Sequence, residues 1–260
     1  MQLIRYRPAP PLDRYVEWFW CSYREHPQAC GEHMLPSGRA QLVFLLHEQT
    51  VTCRPGASAE SLAWTGSLVH GPQCGHFTVA AKPPGAALGV SFRPGAAGAV
   101  LGAPLGELAD RHVALGALWG TRAGAVREQL LAARGPQAAF HILESVLGAR
   151  IQQRLLMHPA VAHALTSRLP HATSPAAVAS LQRASGYSPR HFAALFRAAV
   201  GLTPKHYQRI RRFNAVVSRS RRSTPRSAQR DRRAARLRRP VAPDARIPRI
   251  RGGDARALPA

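Results

Sequence analysis

The chain has 260 residues, 45% of them hydrophobic, which corresponds to one large domain or two small ones and excludes collagen-like and wholly disordered proteins. Its 36 Lys and Arg residues against 13 Asp and Glu residues give a net charge of +23, which favours a polyanionic partner such as nucleic acid. No apolar run approaches the roughly 18 to 20 residues of a membrane-spanning helix, and the first residues lack the pattern of a signal peptide, so we expect a cytoplasmic protein with no membrane partner.

The positive charge is concentrated in the second half of the chain. Residues 1–144 carry a net charge of only +2. Residues 145–217, called here the acid-free stretch, hold ten Lys and Arg residues and no Asp or Glu. Residues 218–260 hold fourteen Arg and three Asp residues. The acid-free stretch is therefore the part of the folded protein that we expect to face negative charge.

Residues 1–94 have the pattern of a β-rich domain. Short β-prone runs, separated by Gly- and Pro-rich turns, occupy residues 41–46, 51–53, 76–80 and 87–92. Ahead of them, residues 12–20 are predicted as a short helix that carries an aromatic cluster of Tyr15, Trp18, Phe19 and Trp20. Strands at this spacing favour a small antiparallel barrel or sandwich.

From Gly95 onward the hydrophobic period changes from two to about 3.6 residues, which indicates helices. The candidates are residues 95–102, 121–133, 138–156 and 159–169. We therefore predict an α+β protein with a β-rich domain at 1–94, a helical connector at 95–156, an all-α module at 157–217 and a disordered basic tail at 218–260.

Three hydroxyl-proline pairs mark helix starts within the acid-free stretch: Ser174-Pro175, Ser188-Pro189 and Thr203-Pro204. The hydroxyl can cap free amide groups, and proline at the first helical position gives up an N–H that would have had no partner. The first helix, predicted at 175–185, ends at Gly186, whose freedom to adopt a positive φ suits a helix end. Two short helices joined by so tight a turn describe a helix-turn-helix unit.

The second helix of this unit separates into two faces. One face is an apolar stripe. The opposite face has two long cations with small residues between them, and this face could enter a major groove. We expect Arg190 to reach a base edge, and most other cations to contact phosphates. The predicted DNA-binding residues are Ser188, Arg190, His191, Ala193, Ala194, Arg197, Lys205, Arg209 and Arg212, with Arg211 in the same cluster.

The alternative interpretation is that this face is a solvated surface of a small helical bundle. Charged helix faces usually are solvated, and helix-turn-helix geometry also occurs in proteins that do not bind DNA. The acid-free stretch argues against it, because solvated faces normally mix both signs of charge.

The sequence from Val178 to Phe213 resembles the first helix-turn-helix of the AraC/XylS transcription regulators. The motifs that carry the resemblance are Gly186-Tyr187-Ser188-Pro189-Arg190, Leu195-Phe196-Arg197 and Gly201-Leu202-Thr203-Pro204-Lys205. Leu35-Pro36-Ser37-Gly38 and Leu88-Gly89-Val90-Ser91-Phe92 resemble the cupin-like sensory domain that precedes some of these modules, although Ser37 stands where that pattern would have Asp. The resemblance implies a recognition helix beginning at Ser188, a double-stranded DNA partner, and a front domain that senses a small-molecule effector or mediates homodimerisation.

The second helix-turn-helix implied by this resemblance is missing from the protein sequence. A joining helix is predicted from Pro204, but residues 218–260 lack the apolar period of a buried core and should be disordered. Reading residues 236–255 one base later, with Arg as CGN, permits the string G-Y-x-D-Q-S-H-L-T-R-E-F and a later F-x-G-x-T-P, which resemble the missing unit. Our hypothesis is a frameshift near Val217, and the alternative is a natural basic arm that binds nucleic acid through charge.

The remaining patterns give weaker indications. His70, Cys74 and His76, or Cys30 and His33, could suggest zinc, but their spacing does not form a paired ligand set. Tyr15, Trp18, Trp20 and Trp64 could line a ligand pocket, although core packing explains them more simply. Without a recognisable catalytic motif we expect no enzyme and no cofactor. The expectation is thus a sequence-specific regulator; the alternative functions are a charge-only nucleic-acid-binding protein and an enzyme in the front domain.

Overall fold

The computed structural model describes residues 2–26, 31–46, 50–56, 61–80, 84–151, 157–166 and 176–223. They form an α+β protein, as predicted, in which a β-rich region precedes a series of helices. The strands are β1 Gln2–Tyr6, β2 Val16–Arg24, β3 Glu32–Met34, β4 Gln41–Leu45, β5 Val51–Pro55, β6 Leu62–Trp64, β7 Ser67–His70, β8 Phe77–Val79, β9 Gly85–Phe92 and β10 His112–Ala114. The helices are α1 Ala97–Leu101, α2 Leu105–Leu108, α3 Leu115–Trp119, α4 Arg122–Leu131, α5 Pro136–Gly148, α6 Pro159–Thr166, α7 Ala176–Ala184, α8 Pro189–Val200 and α9 Pro204–Ser223.

The strands form two sheets whose neighbouring strands are antiparallel. The larger sheet has the order β1-β2-β9-β4-β7-β10, and the smaller one has the order β3-β8-β5-β6. Strand β4 explains how the larger sheet is buried on both sides. Leu42 and Phe44 pack in the core that the helices α1 to α5 cover, whereas Val43 and Leu45 pack against the second sheet. The continuous apolar run of β4 is what a strand with two buried faces requires.

The helices α6 to α9, called here the helical module, have a core of their own. It contains Val161 of α6, Leu181 of α7, Phe192 and Phe196 of α8, and Tyr207 of α9. The apolar stripe predicted for α8 supplies the centre of this core. The module is therefore a packed helical unit rather than an extension of the front region.

The predicted helix at residues 12–20 is wrong. Only Leu12–Arg14 form one turn of 3-10 helix, and Val16–Arg24 are strand β2. Strand β2 pairs with β1 on one side and with β9 on the other. Backbone pairing with two neighbours, together with β-branched and aromatic side chains, outweighs the weak helical spacing that suggested a helix.

The predicted end of regular structure at Val217 also needs correction, because α9 continues to Ser223. The first six residues of the predicted tail are helical. They contain no glycine or proline, and arginine is a good helix former, so an exposed helix can extend through them. Residues 224–260 lie outside the described residues, and so does most of the segment that the frameshift hypothesis concerns. The predicted Ser174-Pro175 cap and the predicted helical ends at 152–156 and 167–169 also lie outside them.

A strand that the sequence did not indicate lies inside the predicted helical connector. His112–Ala114 pair with β7 at the edge of the larger sheet. The β-rich region therefore reaches residue 114, and α1 and α2 leave the sheet and return to it.

Candidate functional site

The local structure around α8 follows the predicted capping pattern. The Ser188 hydroxyl accepts a hydrogen bond from the His191 amide over 3.3 Å, and Pro189 occupies the first turn. Gly186, between α7 and α8, has φ +71°, and Gly201, which caps the end of α8, has φ +82°. Glycine adopts positive φ values without steric strain, which explains its presence in both turns. The end of α7, the turn at Gly186 and the bounds of α8 are confirmed, whereas the predicted start at Ser174-Pro175 lies outside the described residues.

The two faces of α8 are also as predicted, except that Ala193 is not fully exposed. Phe192, Phe196 and Val200 are completely buried. On the opposite side, Arg190, Ala194 and Arg197 are exposed, and Ala193 is half-buried. Residues 190, 194 and 197 are separated by helical repeats and share one side of the helix. The structure thus presents two arginines on a surface with a small residue between them.

The remaining predicted DNA-binding residues divide into two groups. His191 is exposed beside the Tyr187 ring, at 4.9 Å between centroids. Lys205, Arg209 and Arg212 are exposed, and their spacing places them on one face of α9. Arg211, which the sequence grouped with them, is half-buried on another face and influences Arg39 of the front region. It therefore does not belong to the exposed set.

The front region packs against the end of α8, which the sequence did not indicate. A Cβ at Gly106 of α2 would lie 3.1 Å from the Arg197 carbonyl oxygen. A Cβ at Gly201 would lie 2.8 Å from Pro72 and 2.9 Å from the Leu105 carbonyl oxygen. Gly201 lies near the helical phase of Arg190 and Arg197, so this contact, called here the α2 seam, covers the C-terminal end of the exposed face. Arg190 at the other end is exposed.

A loop of the front region brings acidic and sulfur groups near the same end of α8. The Cys74 amide donates to the Asp110 carboxylate over 2.6 Å. Burial and Asp110 raise the pKa of the Cys74 thiol to about 11, although the charges of Arg197 and Arg209 act in the opposite direction. Arg197 and Arg209 therefore lie within electrostatic reach of an acid from outside the acid-free stretch.

Helix α9 packs on a turn of the front region. The Tyr207 ring lies 3.3 Å from where a Cβ of Gly38 would be, and Gly38 has φ +71°. The Asn214 side-chain amide donates to the Pro36 carbonyl over 2.9 Å. The Pro36-Ser37-Gly38 turn is therefore a docking surface for α9, and glycine is needed there for both its conformation and the close approach of the ring.

The same turn forms one wall of a cleft in the front region. Apolar lining comes from Met34, Leu35 and Phe77, and polar lining includes Arg39, Gln41 and His70. The cleft encloses about 320 Å³ of empty space, its open mouth included. The sequence did not indicate this cleft, because its walls come from strands and turns up to 43 positions apart.

The aromatic residues that the sequence grouped as a candidate pocket lie in different places. Trp20 and Trp64 pack against the cluster between the sheets, and Tyr15 packs against the core under the helices. Trp18 contacts the guanidinium groups of Arg5 and Arg39, whose Cζ atoms each lie 5.4 Å from the centroid of its ring. None of the four is among the residues that line the cleft. The core-packing interpretation holds for Tyr15, Trp20 and Trp64.

The predicted metal candidates are separated as well. In the part of the chain that the structure describes, no three His, Cys, Asp or Glu side chains come together in a group that could hold a metal ion. His33 and His76 lie with ring centroids 6.0 Å apart, and His70 instead contacts His112. Cys30 lies outside the described residues.

His70 and His112 form a hydrogen-bonded pair beside the cleft. Their Nδ1 atoms are 2.6 Å apart, so one neutral ring donates its Nδ1–H to the other. His112 is 8% exposed, its ring contacts Phe77, and its Nε2 is buried without a hydrogen-bond partner. Burial lowers the pKa of His112 below its ordinary value. The protein therefore favours the neutral form of this ring.

This pair predicts a pH dependence of stability. Because the pKa of His112 is lower in the folded protein than in the unfolded chain, where it is about 6.5, the unfolded chain binds more protons below that pH. We expect Tm to fall as the pH is lowered from about 7.5 to about 5 and to fall less steeply in a His112→Gln variant. His26→Gln, at an exposed position, is the control. An equally steep fall in His112→Gln and wild type, measured by calorimetry, would contradict the assignment.

Comparison with known proteins identifies one similarity. Residues 4–114 match the family model described as "Domain of unknown function (DUF6597)". The match begins within β1 and ends at the last residue of β10, so it covers both sheets except for the first two residues of β1. No curated protein and no solved structure matches the chain. Among the described helices, none has both the length and the apolar character to cross a membrane.

Proposed function

We propose that this protein is a sequence-specific, DNA-binding transcription regulator of the AraC type, with α8 as its recognition helix. The observation that carries the proposal is the exposed face of α8, where Arg190, Ala194 and Arg197 follow a Ser188 cap and a tight Gly186 turn. Small residues between two long cations permit close approach to a major groove, and arginine recognises guanine through O6 and N7. The exposed Lys205, Arg209 and Arg212 on α9 are suited to phosphates.

In this proposal the front region is a cupin-like sensory or dimerisation domain and has no catalytic role. Its support is the pair of packed antiparallel sheets and the position of the cleft beside the docked helical module. A small-molecule effector would act by changing the balance between two arrangements of the front region and the module. Because one helix-turn-helix reads only half of the site expected for this type of regulator, binding by this chain should be weak.

The second candidate function is a nucleic-acid-binding protein that acts through charge alone. The ten basic residues of the acid-free stretch favour it. Gel-shift titration against salt on several duplexes distinguishes the two functions. Charge-only binding decreases steeply with salt and has no preference among sequences, whereas the regulator retains its preference at higher salt.

Replacement of Arg190 by alanine tests the base-reading role. A preferred duplex is first selected from a random library with the wild-type protein. On this duplex and its single-base variants, Arg190→Ala should lose discrimination at one base pair, at a cost of about 1 to 3 kcal/mol, because one bidentate contact disappears.

The matched control is Arg134→Ala, which removes an exposed arginine outside the acid-free stretch and should leave the pattern unchanged. Equal weakening by Arg190→Ala on all duplexes would contradict base reading and would assign Arg190 to phosphate.

A further inference from the structure

Tyr187 lies in the turn between α7 and α8, directly before the Ser188 cap. Its side chain is 38% exposed. The ring contacts two histidines, with its centroid 5.4 Å from that of His158 and 4.9 Å from that of His191. The Tyr187 ring is therefore supported by neighbouring rings while part of it is open to solvent at the start of the proposed recognition helix.

His158 caps the start of α6, and this cap fixes the position of its ring proton. The His158 carbonyl accepts hydrogen bonds from the Val161 and Ala162 amides, and the Ala160 amide donates to His158 Nδ1 over 3.2 Å. An amide N–H can only donate, so Nδ1 is the acceptor and carries no proton. The proton of the neutral imidazole is then on Nε2. The backbone of α6 thus determines which nitrogen of His158 can donate.

The tautomer of His158 determines what the Tyr187 hydroxyl can do. His158 Nε2 lies 3.3 Å from the Tyr187 oxygen. Because Nε2 is the donor, the tyrosine oxygen accepts this hydrogen bond, and the hydroxyl proton takes no part in it. Among the residues that the structure describes, this oxygen has no hydrogen-bond partner besides His158, and the acid-free stretch offers no carboxylate. The hydroxyl can therefore donate to an acceptor that comes from another molecule.

A DNA phosphate is the acceptor that suits this position. In helix-turn-helix proteins the first residues of the recognition helix contact base edges in the major groove, and tyrosine is among the side chains that contact the phosphates beside it. Tyr187 precedes Arg190, the proposed base-reading residue, by three positions. His191, whose ring contacts Tyr187, is exposed next to Arg190. When Arg190 reaches a base, Tyr187 is therefore placed to meet the backbone of the DNA.

We propose that the Tyr187 hydroxyl donates a hydrogen bond to a phosphate of bound DNA, and that His158 is the residue that positions it. Helix α6, which lies outside the helix-turn-helix of α7 and α8, thereby takes part in the DNA interface. This inference deepens the proposed function and rests on it for the identity of the polyanion. Because a phosphate carries no sequence information, the contact contributes affinity and leaves the preference among sequences unchanged.

Replacing Tyr187 with phenylalanine tests the phosphate contact, because it removes the hydroxyl and keeps the ring. At constant salt, Tyr187→Phe should bind every duplex about three- to tenfold more weakly than wild type, through the loss of one hydrogen bond. The matched control is Tyr23→Phe, which removes a tyrosine hydroxyl from the front region and should leave binding unchanged. Wild-type affinity of Tyr187→Phe, or a loss confined to duplexes that differ at one base pair, would overturn the phosphate contact.

Replacing His158 with asparagine separates its two hydrogen bonds. The side-chain oxygen of asparagine can take the place of Nδ1 and cap α6, since asparagine is a preferred N-cap residue, but the side chain is too short to reach Tyr187. His158→Asn should weaken duplex binding about two- to fourfold in the wild-type background and leave it unchanged in Tyr187→Phe, which has no hydroxyl to position. No weakening in the wild-type background, or equal weakening in both backgrounds, would overturn the positioning by His158.

The tautomer itself is measurable in the full chain without DNA. The ¹⁵N spectrum of the histidine rings, with His158 assigned by its absence in His158→Asn, should show the form protonated at Nε2. A ring protonated at Nδ1 would contradict the hydrogen bond from Ala160 and remove the basis of the proposal.

The duplex measurements separate this inference from the proposed function. Sequence preference in wild type, combined with unchanged affinity of Tyr187→Phe, would overturn the Tyr187 contact alone. Uniform weakening by Tyr187→Phe on duplexes among which wild type has no preference would overturn the sequence-specific regulator alone. Absence of wild-type binding to any duplex would overturn both.

Discussion

Replacing Phe196 with alanine should lower the free energy of unfolding of the helical module by about 3 to 5 kcal/mol. Phe196 is completely buried, and its ring lies 6.1 Å from Phe192 and 5.7 Å from Tyr207, measured between centroids. Alanine leaves a cavity where α8 and α9 meet. The lost stability includes the free energy of transferring the ring from water to the core and the van der Waals contacts of the residues around the cavity. A module marginally stable to begin with would lose much of its helix.

The matched control for this prediction is Phe213→Ala. Phe213 lies on α9 and is 45% exposed, so the same substitution should change stability by no more than about 0.5 kcal/mol. The four tryptophans all precede residue 120, so their fluorescence reports on the front region, whereas far-UV circular dichroism includes the module. Phe196→Ala should shift the dichroism transition more than the fluorescence transition. Equal loss of stability in the two alanine variants would show that the core is not centred on Phe196.

Replacing Gly201 with alanine should destabilise the protein by about 2 to 5 kcal/mol, clearly more than the same change at Gly186. Both glycines have positive φ, +82° and +71°, so both substitutions pay a backbone strain of about 1 to 2 kcal/mol. At Gly186 a Cβ would meet nothing within 4 Å, whereas at Gly201 it would meet Pro72 and the Leu105 carbonyl oxygen. The crowding adds about 1 to 3 kcal/mol or forces the α2 seam apart.

Hydrogen exchange distinguishes these two responses to Gly201→Ala. If the seam opens, amides of α2 and of the end of α8 exchange faster while the rest of the front region is unchanged. Denaturation curves of the two variants give the difference in stability. Indistinguishable curves for Gly186→Ala and Gly201→Ala would mean that the α2 seam does not exist in solution.

The elements that could be predicted from the sequence are those fixed by local chemistry. The Ser188-Pro189 start, the Gly186 turn and the apolar stripe of Phe192 and Phe196 act within a few residues, and their helix was located correctly. The apolar run at residues 41–46 likewise predicted strand β4 at Gln41–Leu45. Strand β2 could not be recognised because its conformation depends on pairing with β1 and β9, which lie elsewhere in the chain.

The candidate site was predictable to the same extent. Arg190 and Arg197 were placed on one exposed side of α8 from helix geometry alone. That Arg211 comes within electrostatic range of Arg39, and that α2 covers the end of α8, depend on how two separately folded cores meet. Such contacts involve a glycine, a proline and a backbone carbonyl, and none of these leaves a periodic pattern in sequence.

The return of the chain through β10 determines which parts of the protein can move relative to one another. The chain leaves the sheet after β9, passes through α1 and α2 and comes back at β10, and Leu108 is held against Gly71, the residue that follows β7. Because both ends of α2 are anchored, it belongs mechanically to the front region. Any separation of the helical module must therefore open the contact between α2 and α8, together with the contact of α9 on the Pro36-Ser37-Gly38 turn. At the α2 seam Gly106 lies against the Arg197 carbonyl, and Gly201 lies against Pro72 and the Leu105 carbonyl, so the two helices meet there mainly through backbone and not through interlocking side chains.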